Sequence, residues 1–178
     1  FFKQKTAYEI PKRDWSSDVC SSDLFDPFAG WGHRGLAAKV RGVSYTGIDI
    51  NPAAIDSAYA LGVNNQLGDS ALVEIPMFDG LLTCPPYWNL ERYSDTGLDA
   101  LGTFEEFISA YEHILSRCYD AAQFGAVFCV LTGDWRKEGV YHDLTYQTAS
   151  IMERLGATTI DVVIASRLAV SKIGRAHV

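Results

Sequence analysis

The chain has 178 residues and a mass of 19.6 kDa, which indicates one domain, or two at most. It is 48% hydrophobic and 21% charged, a composition that excludes disordered, collagen-like and coiled-coil proteins. Its net charge of −7 argues against binding nucleic acid by bulk electrostatics. The sequence has no apolar run long enough for a membrane helix, and its four cysteines lack zinc-site spacing. We therefore expect a cytoplasmic protein with reduced thiols, no membrane association and no metal.

The two ends of the chain differ from its middle. Residues 1–24 show no period of 2 or 3.6, and they resemble translated sequencing-adapter read-through, as do residues 172–178. We expect non-native extensions at both ends of a natural domain at 25–171, cut just before its first strand. That span is more acidic than the whole chain, with nine basic and eighteen acidic side chains. Foreign residues should pack poorly, so many buried contacts by Trp15 and Leu24 together would contradict this expectation.

Strand and helix patterns alternate along the central span. The predicted strands are Phe25–Phe28, Ser44–Ile50, Val63–Leu67, Phe78–Thr83, Gly125–Thr132 and Thr158–Ala165. The predicted helices are Arg34–Val40, one that begins at Pro52 after the N-cap Asn51, Phe104–Ala122 with a Thr103–Glu106 capping box, and Leu144–Leu155. The apolar stripe of the third helix is expected in the core, and the apolar run at 125–132 predicts a strand buried on both faces. This alternation predicts an α/β domain with a mostly parallel sheet.

A glycine-rich turn links the first predicted strand to the first helix. Gly30, Gly32 and Gly35 have the spacing that lets backbone approach a ligand, and Asp49 ends the next strand. A carboxylate at that position accepts hydrogen bonds from two ribose hydroxyls. The pattern fits a nicotinamide dinucleotide as well as S-adenosylmethionine (SAM), and it also occurs as a plain structural turn.

Two further carboxylates favour SAM over a dinucleotide. Asp26, just before the turn, would repel a pyrophosphate but attract the ammonium group of a methionine moiety. Asp69, in the Gly68-Asp69-Ser70 segment, could accept a hydrogen bond from an adenine amino group. The expected cofactor-binding residues are Asp26, Phe28, Gly30, Gly32, Asp49, Ile50, Asp69 and Ser70.

A proline-rich loop follows the strand at Phe78–Thr83. Cys84, Pro85, Pro86 and Tyr87 lie at the carboxyl end of that strand, the edge where open α/β sheets bind ligands. The two prolines fix the backbone and direct a carbonyl acceptor into the cleft. Tyr87 and the adjacent Trp88 offer a stacking face for a base taken out of its helix.

Four segments in this order resemble the SAM-dependent DNA amino-methyltransferases, in particular the phage-type modification methylases. They are FDPFAGWGHRG, YTGIDINP, GDS and LLTCPPYWNLERYSD, and the likeness extends over nearly all of 25–171, including GDWR at 133–136. The resemblance implies a truncated Rossmann-like class I methyltransferase fold. It also implies site-specific methyl transfer from SAM to N4 of cytosine or N6 of adenine in DNA, on a flipped base.

The resemblance assigns roles to the four loop residues. An acceptor at position 84 and the Pro85 carbonyl would bind the two N–H groups of the target amine, and Tyr87 would stack on the base. Cys84 departs from the family pattern, which has Ser, Asp or Asn there; a thiol is a weaker acceptor. Its size favours cytosine as target, and its place before the prolines excludes covalent C5-cytosine chemistry.

Several alternatives stay open at this point. One is amino-methylation of RNA or of a protein glutamine; another is a cofactor-binding module without catalysis; a third is a dinucleotide-dependent oxidoreductase, for which we find no proton relay. Too few residues separate the turn from the loop to hold a target-recognition domain, so DNA-reading elements are expected outside this span. Asp134, Trp135 and Arg136 are expected either in the site wall or in capping and surface roles.

Overall fold

The computed structural model describes residues 2–4, 23–90 and 96–165. The strands are β1 (Phe2–Gln4), β2 (Asp23–Asp26), β3 (Ser44–Asp49), β4 (Gln66–Leu67), β5 (Phe78–Thr83), β6 (Ala122–Val130), β7 (Trp135–Lys137), β8 (Val140–His142) and β9 (Ala157–Thr159). The helices are α1 (His33–Val40), α2 (Pro52–Ala60), α3 (Phe104–Ala121) and α4 (Leu144–Arg154), with a 3₁₀ turn at Leu98–Ala100. No helix in these segments is both long and apolar enough to span a bilayer.

Seven strands form one sheet in the order β4-β3-β2-β5-β6-β1-β9. The pairs β3/β4, β2/β3, β2/β5 and β5/β6 are parallel, whereas β1 runs antiparallel to both β6 and β9. The chain builds β2, β3 and β4 in one direction and then returns to add β5 on the other side of β2. This reversal creates a topological switch point at the carboxyl ends of β2 and β5, where α/β sheets bind ligands. The expected α/β architecture with a mostly parallel sheet is confirmed.

Local sequence signals set the starts of two helices as predicted. The Asn51 side chain accepts a hydrogen bond from the Ala53 N–H at 2.9 Å, and Pro52 occupies the first helical position of α2. In α3, the Glu106 N–H donates to the Thr103 hydroxyl, and the Glu106 carboxylate accepts from the Thr103 N–H. These contacts satisfy backbone donors that the first helical turn leaves unpaired.

The core lies between the sheet and the stripe of α3. Phe25 of β2 stacks on Phe78 of β5 with ring centroids 5.1 Å apart, and Phe78 meets the edge of Phe128 of β6 at 5.8 Å. The predicted stripe supplies the opposite side, with these α3 residues buried: Phe107, Tyr111, Ile114, Leu115 and Cys118. Burial raises the pKa of Tyr111 and of Cys118, so both side chains are neutral at physiological pH.

The sheet includes residues that the sequence analysis left outside the domain. β2 begins at Asp23 rather than at Phe25, and its Leu24 pairs with Tyr45 of β3 and Gly80 of β5. Residues 2–4 form β1, which lies between β6 and β9. Trp15 is outside the described residues. The origin of residues 1–24 stays a prediction, but this fold uses part of them in its sheet.

Three other strand predictions need correction. β6 begins and ends earlier than 125–132, and it is not buried on both faces, because Phe124 and Val127 are 52% and 40% exposed. β9 stops at Thr159 instead of reaching Ala165, and its three residues pair with the three residues of β1. The weak strand expected at 63–67 shrinks to the two residues of β4. The hairpin of β7 and β8 was not predicted at all.

Candidate functional site

A cavity of about 390 Å³ opens at the carboxyl edge of the sheet, beside the switch point. Ten of the residues predicted for the site line it: Phe28, Gly30, Asp49, Ile50, Asp69, Ser70, Cys84, Pro85, Pro86 and Tyr87. The structure therefore brings the glycine-rich turn, the two acidic strand ends and the proline loop together around one space. Asp26 and Gly32 do not line this cavity.

Two glycines of the turn, Gly30 and Gly32, serve different purposes. Gly30 has a φ of +56°, and a Cβ added there would meet no atom within 4 Å, so this part of the turn is open to a ligand. Gly32 has a φ of +88°, and a Cβ there would lie 2.7 Å from the Cα of Ala58 in α2. Gly32 is thus a packing contact between the turn and α2, and its role in binding stays a prediction.

Asp49 closes the turn from the end of β3. Its Oδ2 accepts a hydrogen bond from the Gly30 N–H at 2.7 Å, and its Oδ1 accepts from the Asn51 N–H at 2.9 Å. Each carboxylate oxygen can accept a second hydrogen bond. The half-buried carboxylate is therefore fixed by backbone on two sides and still has acceptor capacity toward the cavity that it lines.

The structure corrects the predicted role of Asp26. Its side chain is fully buried, and its Oδ1 accepts from the Thr83 hydroxyl at 2.6 Å and from the Phe28 N–H at 3.1 Å. Its Oδ2 accepts from Arg34 Nε at 2.5 Å and from the Tyr45 hydroxyl at 3.0 Å. The carboxylate joins β2, β3, β5 and α1, and it does not face a ligand's ammonium group.

Arg34 is a wall residue that the sequence analysis missed. Its guanidinium also donates to the Phe28 carbonyl at 2.5 Å, and its side chain is 27% exposed in the cavity wall. Burial alone would lower the pKa of Arg34, but the charge and hydrogen bond of Asp26 outweigh that effect and raise it. The side chain is a fixed cation. No local pattern could have revealed it, because its position depends on Asp26 of a neighbouring element.

The turn that carries Asp69 and Ser70 is held from two sides. Ser70 is buried, and its hydroxyl donates to the Pro27 carbonyl at 2.7 Å. Arg117 of α3 donates to the carbonyls of Ser70 and Val73. Asp69 Oδ1 accepts from the Ala71 N–H at 2.8 Å, and its Oδ2 has no hydrogen bond within the segments that the structure describes. That oxygen is available to a ligand.

The proline loop places a neutral thiol in the cavity wall. Cys84 is half-buried, and its thiol lies near the hydroxyl of Tyr87. Burial raises the pKa of the Cys84 thiol, and the nearby Arg34 offsets only part of this effect. Burial is also the largest cause that raises the pKa of the Tyr87 hydroxyl, and the electrostatic effect of the nearby Cys84 raises it further. Both groups are protonated at neutral pH, so position 84 supplies only a weak acceptor.

The unpredicted hairpin supports Tyr87 from behind. The Trp135 ring of β7 meets the Tyr87 ring edge-on at 5.5 Å, and Lys137 donates to the carbonyl of Asn89. The neighbouring Trp88 donates from its indole to the Leu101 carbonyl at 2.8 Å and packs against His142 of β8. Trp88 is therefore fixed in an aromatic cluster, whereas Tyr87 lines the cavity.

Asp134 and Arg136 take the capping and surface roles, whereas Trp135 is buried behind Tyr87. Asp134 accepts hydrogen bonds from the Thr145 N–H in the first turn of α4 and from the Tyr141 hydroxyl. Burial alone would raise the pKa of Asp134, but these hydrogen bonds lower it. Arg136 lies over the Tyr141 ring at 5.3 Å. None of these side chains lines the cavity.

Other wall residues were also missed. They come from the glycine-rich turn, the segment after the proline loop, and α3: Trp31, Leu98, Asp99, Leu101, Ala110, His113 and Ile114. Ile114 belongs to the predicted core stripe and lines the cavity as well. Trp31 is 48% exposed. A tryptophan between two glycines of a turn is visible in the sequence, and this position could have indicated a wall residue. Within the described segments, no group of His, Cys, Asp and Glu side chains could hold a metal ion.

No protein-family model matches the chain, and no curated protein does. Several solved structures are similar. One is the [4+2]-cyclase SpnF, at 16% identity and a TM-score of 0.52 over 75% of this chain and 51% of that chain. Another is a TehB-like SAM-dependent methyltransferase from Corynebacterium glutamicum, at 18% identity and a TM-score of 0.49 over 76% and 65%. A third is CalS10 from Micromonospora echinaspora, an amino pentose methyltransferase with SAM bound. Its identity is 18% and its TM-score is 0.49, over 66% of this chain and 44% of that chain.

These likenesses concern the fold. The strand order and the similarity to SpnF confirm the expected Rossmann-like fold, a mostly parallel sheet flanked by helices. The chain spans less than two thirds of the length of each of the three similar chains. The chemistry of this chain has to be argued from its own cavity.

Proposed function

We propose that this domain transfers a methyl group from SAM to an exocyclic amine of a DNA base, N4 of cytosine or N6 of adenine. The observation that carries the proposal is the convergence of two groups of residues on one cavity. One group is the open turn at Gly30 with Asp49 and Asp69, and the other is the Cys84–Tyr87 loop. A cofactor subsite and an acceptor loop that share one wall are what direct transfer between two bound molecules requires.

The cofactor side of the cavity fits the polar groups of SAM. The free acceptor capacity of Asp49 suits the two ribose hydroxyls, and Asp69 Oδ2 suits an adenine amino group. Because Gly30 has no side chain, the space beside it stays open, whereas a larger residue at this position would occupy that space. When bound, SAM supplies a methyl group on a positively charged sulfur; all other contributions come from the chain itself.

The loop side of the cavity fits a planar amine. An exocyclic amine is a poor nucleophile, because its lone pair is delocalised into the ring. The Pro85 carbonyl and the Cys84 sulfur accept hydrogen bonds from the two N–H groups of this amine. These two hydrogen bonds localise the lone pair and orient it for in-line attack on the methyl carbon. Tyr87, held by Trp135, provides the stacking face for the base. The transfer forms an N–CH₃ bond, breaks an S–CH₃ bond, and releases the amine proton to solvent.

The test is a methylation assay with SAM that carries a deuterated methyl group. The full chain is incubated separately with unmodified genomic DNA, denatured DNA, transfer RNA and a glutamine-containing peptide. Digested products are then analysed by mass spectrometry. We expect labelled N4-methylcytosine or N6-methyladenine from DNA. Label in RNA or in the peptide instead would replace DNA as the substrate, and SAM binding without transfer to any acceptor would favour a non-catalytic module.

Tyr87→Ala should reduce DNA methylation by about 10- to 100-fold, because base–aromatic stacking contributes about 1–3 kcal/mol. Tyr87→Phe keeps the ring and should retain most of the activity. The matched control is Tyr146→Ala, which removes a tyrosine that is 67% exposed on α4 and outside the cavity wall. Initial rates at subsaturating DNA measure the effect. Equal rates for Tyr87→Ala and the control would remove Tyr87 from the base subsite.

Cys84→Ser should raise the methylation rate about five- to tenfold. A hydroxyl accepts a hydrogen bond better than a neutral thiol, and one such bond contributes about 1 kcal/mol. Cys129→Ser, a half-buried change on β6 away from the cavity wall, is the control for removing a thiol. Single-turnover rates on DNA give the comparison. A rate that stays the same or falls would show that the Pro85 carbonyl alone accepts from the amine.

A further inference from the structure

Among the described residues, one cation is fixed in the cavity wall. Arg34 is the only lysine or arginine among the described residues that line it, whereas three aspartates do so: Asp49, Asp69 and Asp99. The guanidinium is anchored at Nε by Asp26 and at Nη2 by the Phe28 carbonyl. Its Nη1 forms no hydrogen bond within residues 2–4, 23–90 and 96–165. A rigid guanidinium with donors to spare is suited to binding an anion.

The strand order places Arg34 at a defined position along the cavity. Following the sheet edge, Asp69 lies beyond β4, Asp49 ends β3, Asp26 ends β2, and Thr83 ends β5. Arg34 is tied to Asp26, which also binds Thr83, so the guanidinium lies where β2 meets β5 and next to Cys84. If a ligand binds with its adenine at Asp69 and its ribose at Asp49, the group attached to the far end of the ribose therefore lies toward Arg34 and the proline loop.

The charge balance at this end favours a zwitterion. Asp26 lies fully buried behind Arg34 and neutralises it, so the pair presents N–H donors without a strong net positive charge. A pyrophosphate gains less from such a pair than from an isolated cation. An amino-acid group, with one carboxylate and one ammonium, fits it better. We infer that Arg34 binds the carboxylate of the cofactor's methionine moiety and so selects a carboxylate-bearing cofactor. This inference rests on the proposed function.

Calorimetric titration of the full chain with SAM and with decarboxylated SAM tests this role. Decarboxylated SAM lacks the carboxylate that would pair with Arg34. The wild-type protein should therefore bind SAM about 10- to 100-fold more tightly than decarboxylated SAM. Arg34→Gln should lower the affinity for SAM by a similar factor and leave the affinity for decarboxylated SAM within about twofold. Arg41→Gln, an exposed arginine that follows the same helix, should change neither affinity.

The outcomes separate this inference from the proposed function. If the wild-type protein binds both ligands equally, the role of Arg34 is wrong although SAM binding stands. If it binds neither ligand while its circular dichroism shows a folded protein, the proposed function fails and this inference with it. The wild-type comparison needs no variant, so it decides even if Arg34→Gln unfolds by leaving Asp26 unpaired. Arg34→Lys, which keeps the charge, should recover part of the preference for SAM.

Discussion

Asp49→Asn is expected to weaken SAM binding by about 100-fold while the protein stays folded. The Asp49 carboxylate acts only as a hydrogen-bond acceptor. One of its oxygens accepts a hydrogen bond from the Gly30 N–H and the other accepts one from the Asn51 N–H. Asparagine has the same shape, but its amide nitrogen would turn a donor toward one of these donors. The variant therefore loses acceptor capacity for the ribose and also loosens the turn that the ribose contacts. Hydrogen bonds to charged groups contribute about 1.5–3 kcal/mol, which gives this magnitude.

The measurement is a calorimetric titration with SAM, with NAD as a second ligand. Asp56→Asn is the matched control, because Asp56 is an exposed aspartate on α2 outside the cavity wall. Thermal unfolding of each variant shows whether the fold survives. Undiminished SAM affinity in Asp49→Asn would exclude this carboxylate as the ribose acceptor, and NAD binding that depends on Asp49 would identify a dinucleotide site.

The sequence predicts those features of the fold that short-range chemistry controls. The Asn51 cap, the Thr103–Glu106 capping box and the strand at 78–83 all appear where they were expected, because each depends on neighbours within a few residues. The glycine-rich turn and Asp49 were also found, since their spacing reflects one strand–turn–helix–strand unit. Placing the proline loop against that turn required only the rule that parallel strands share a carboxyl edge.

Two features of the site that the sequence did not predict depend on distant partners. Asp26 could be recognised as a charged residue at a strand end, but its burial follows from Thr83 and Tyr45 on the two flanking strands. Arg34 becomes a wall residue only because Asp26 anchors it. The hairpin was a missed local signal: Glu138 and Gly139 both have positive φ, the conformation of a two-residue hairpin turn, and Gly at the second position is typical.

Asp26→Ala should destabilise the protein by about 3–5 kcal/mol, the usual cost of removing one partner of a buried ion pair. The change leaves Arg34 with an unbalanced charge, and it removes the acceptor of the Thr83 and Tyr45 hydroxyls. Since these donors come from α1, β5 and β3, the loss loosens the three elements that Asp26 joins to β2. The free energy of unfolding in urea, extrapolated to water, measures the effect.

The exposed pair of Arg154 and Glu112 provides the control. Its nitrogen–oxygen distance of 2.8 Å is comparable, but its two side chains are 52% and 38% exposed. Glu112→Ala should therefore cost less than about 1 kcal/mol, because water solvates the remaining charge. Asp26→Asn, which keeps the size and one acceptor oxygen, should fall between the two. If Asp26→Ala costs no more than Glu112→Ala, Asp26 does not hold the switch point together, and its buried carboxylate would have to be explained by the ligand after all.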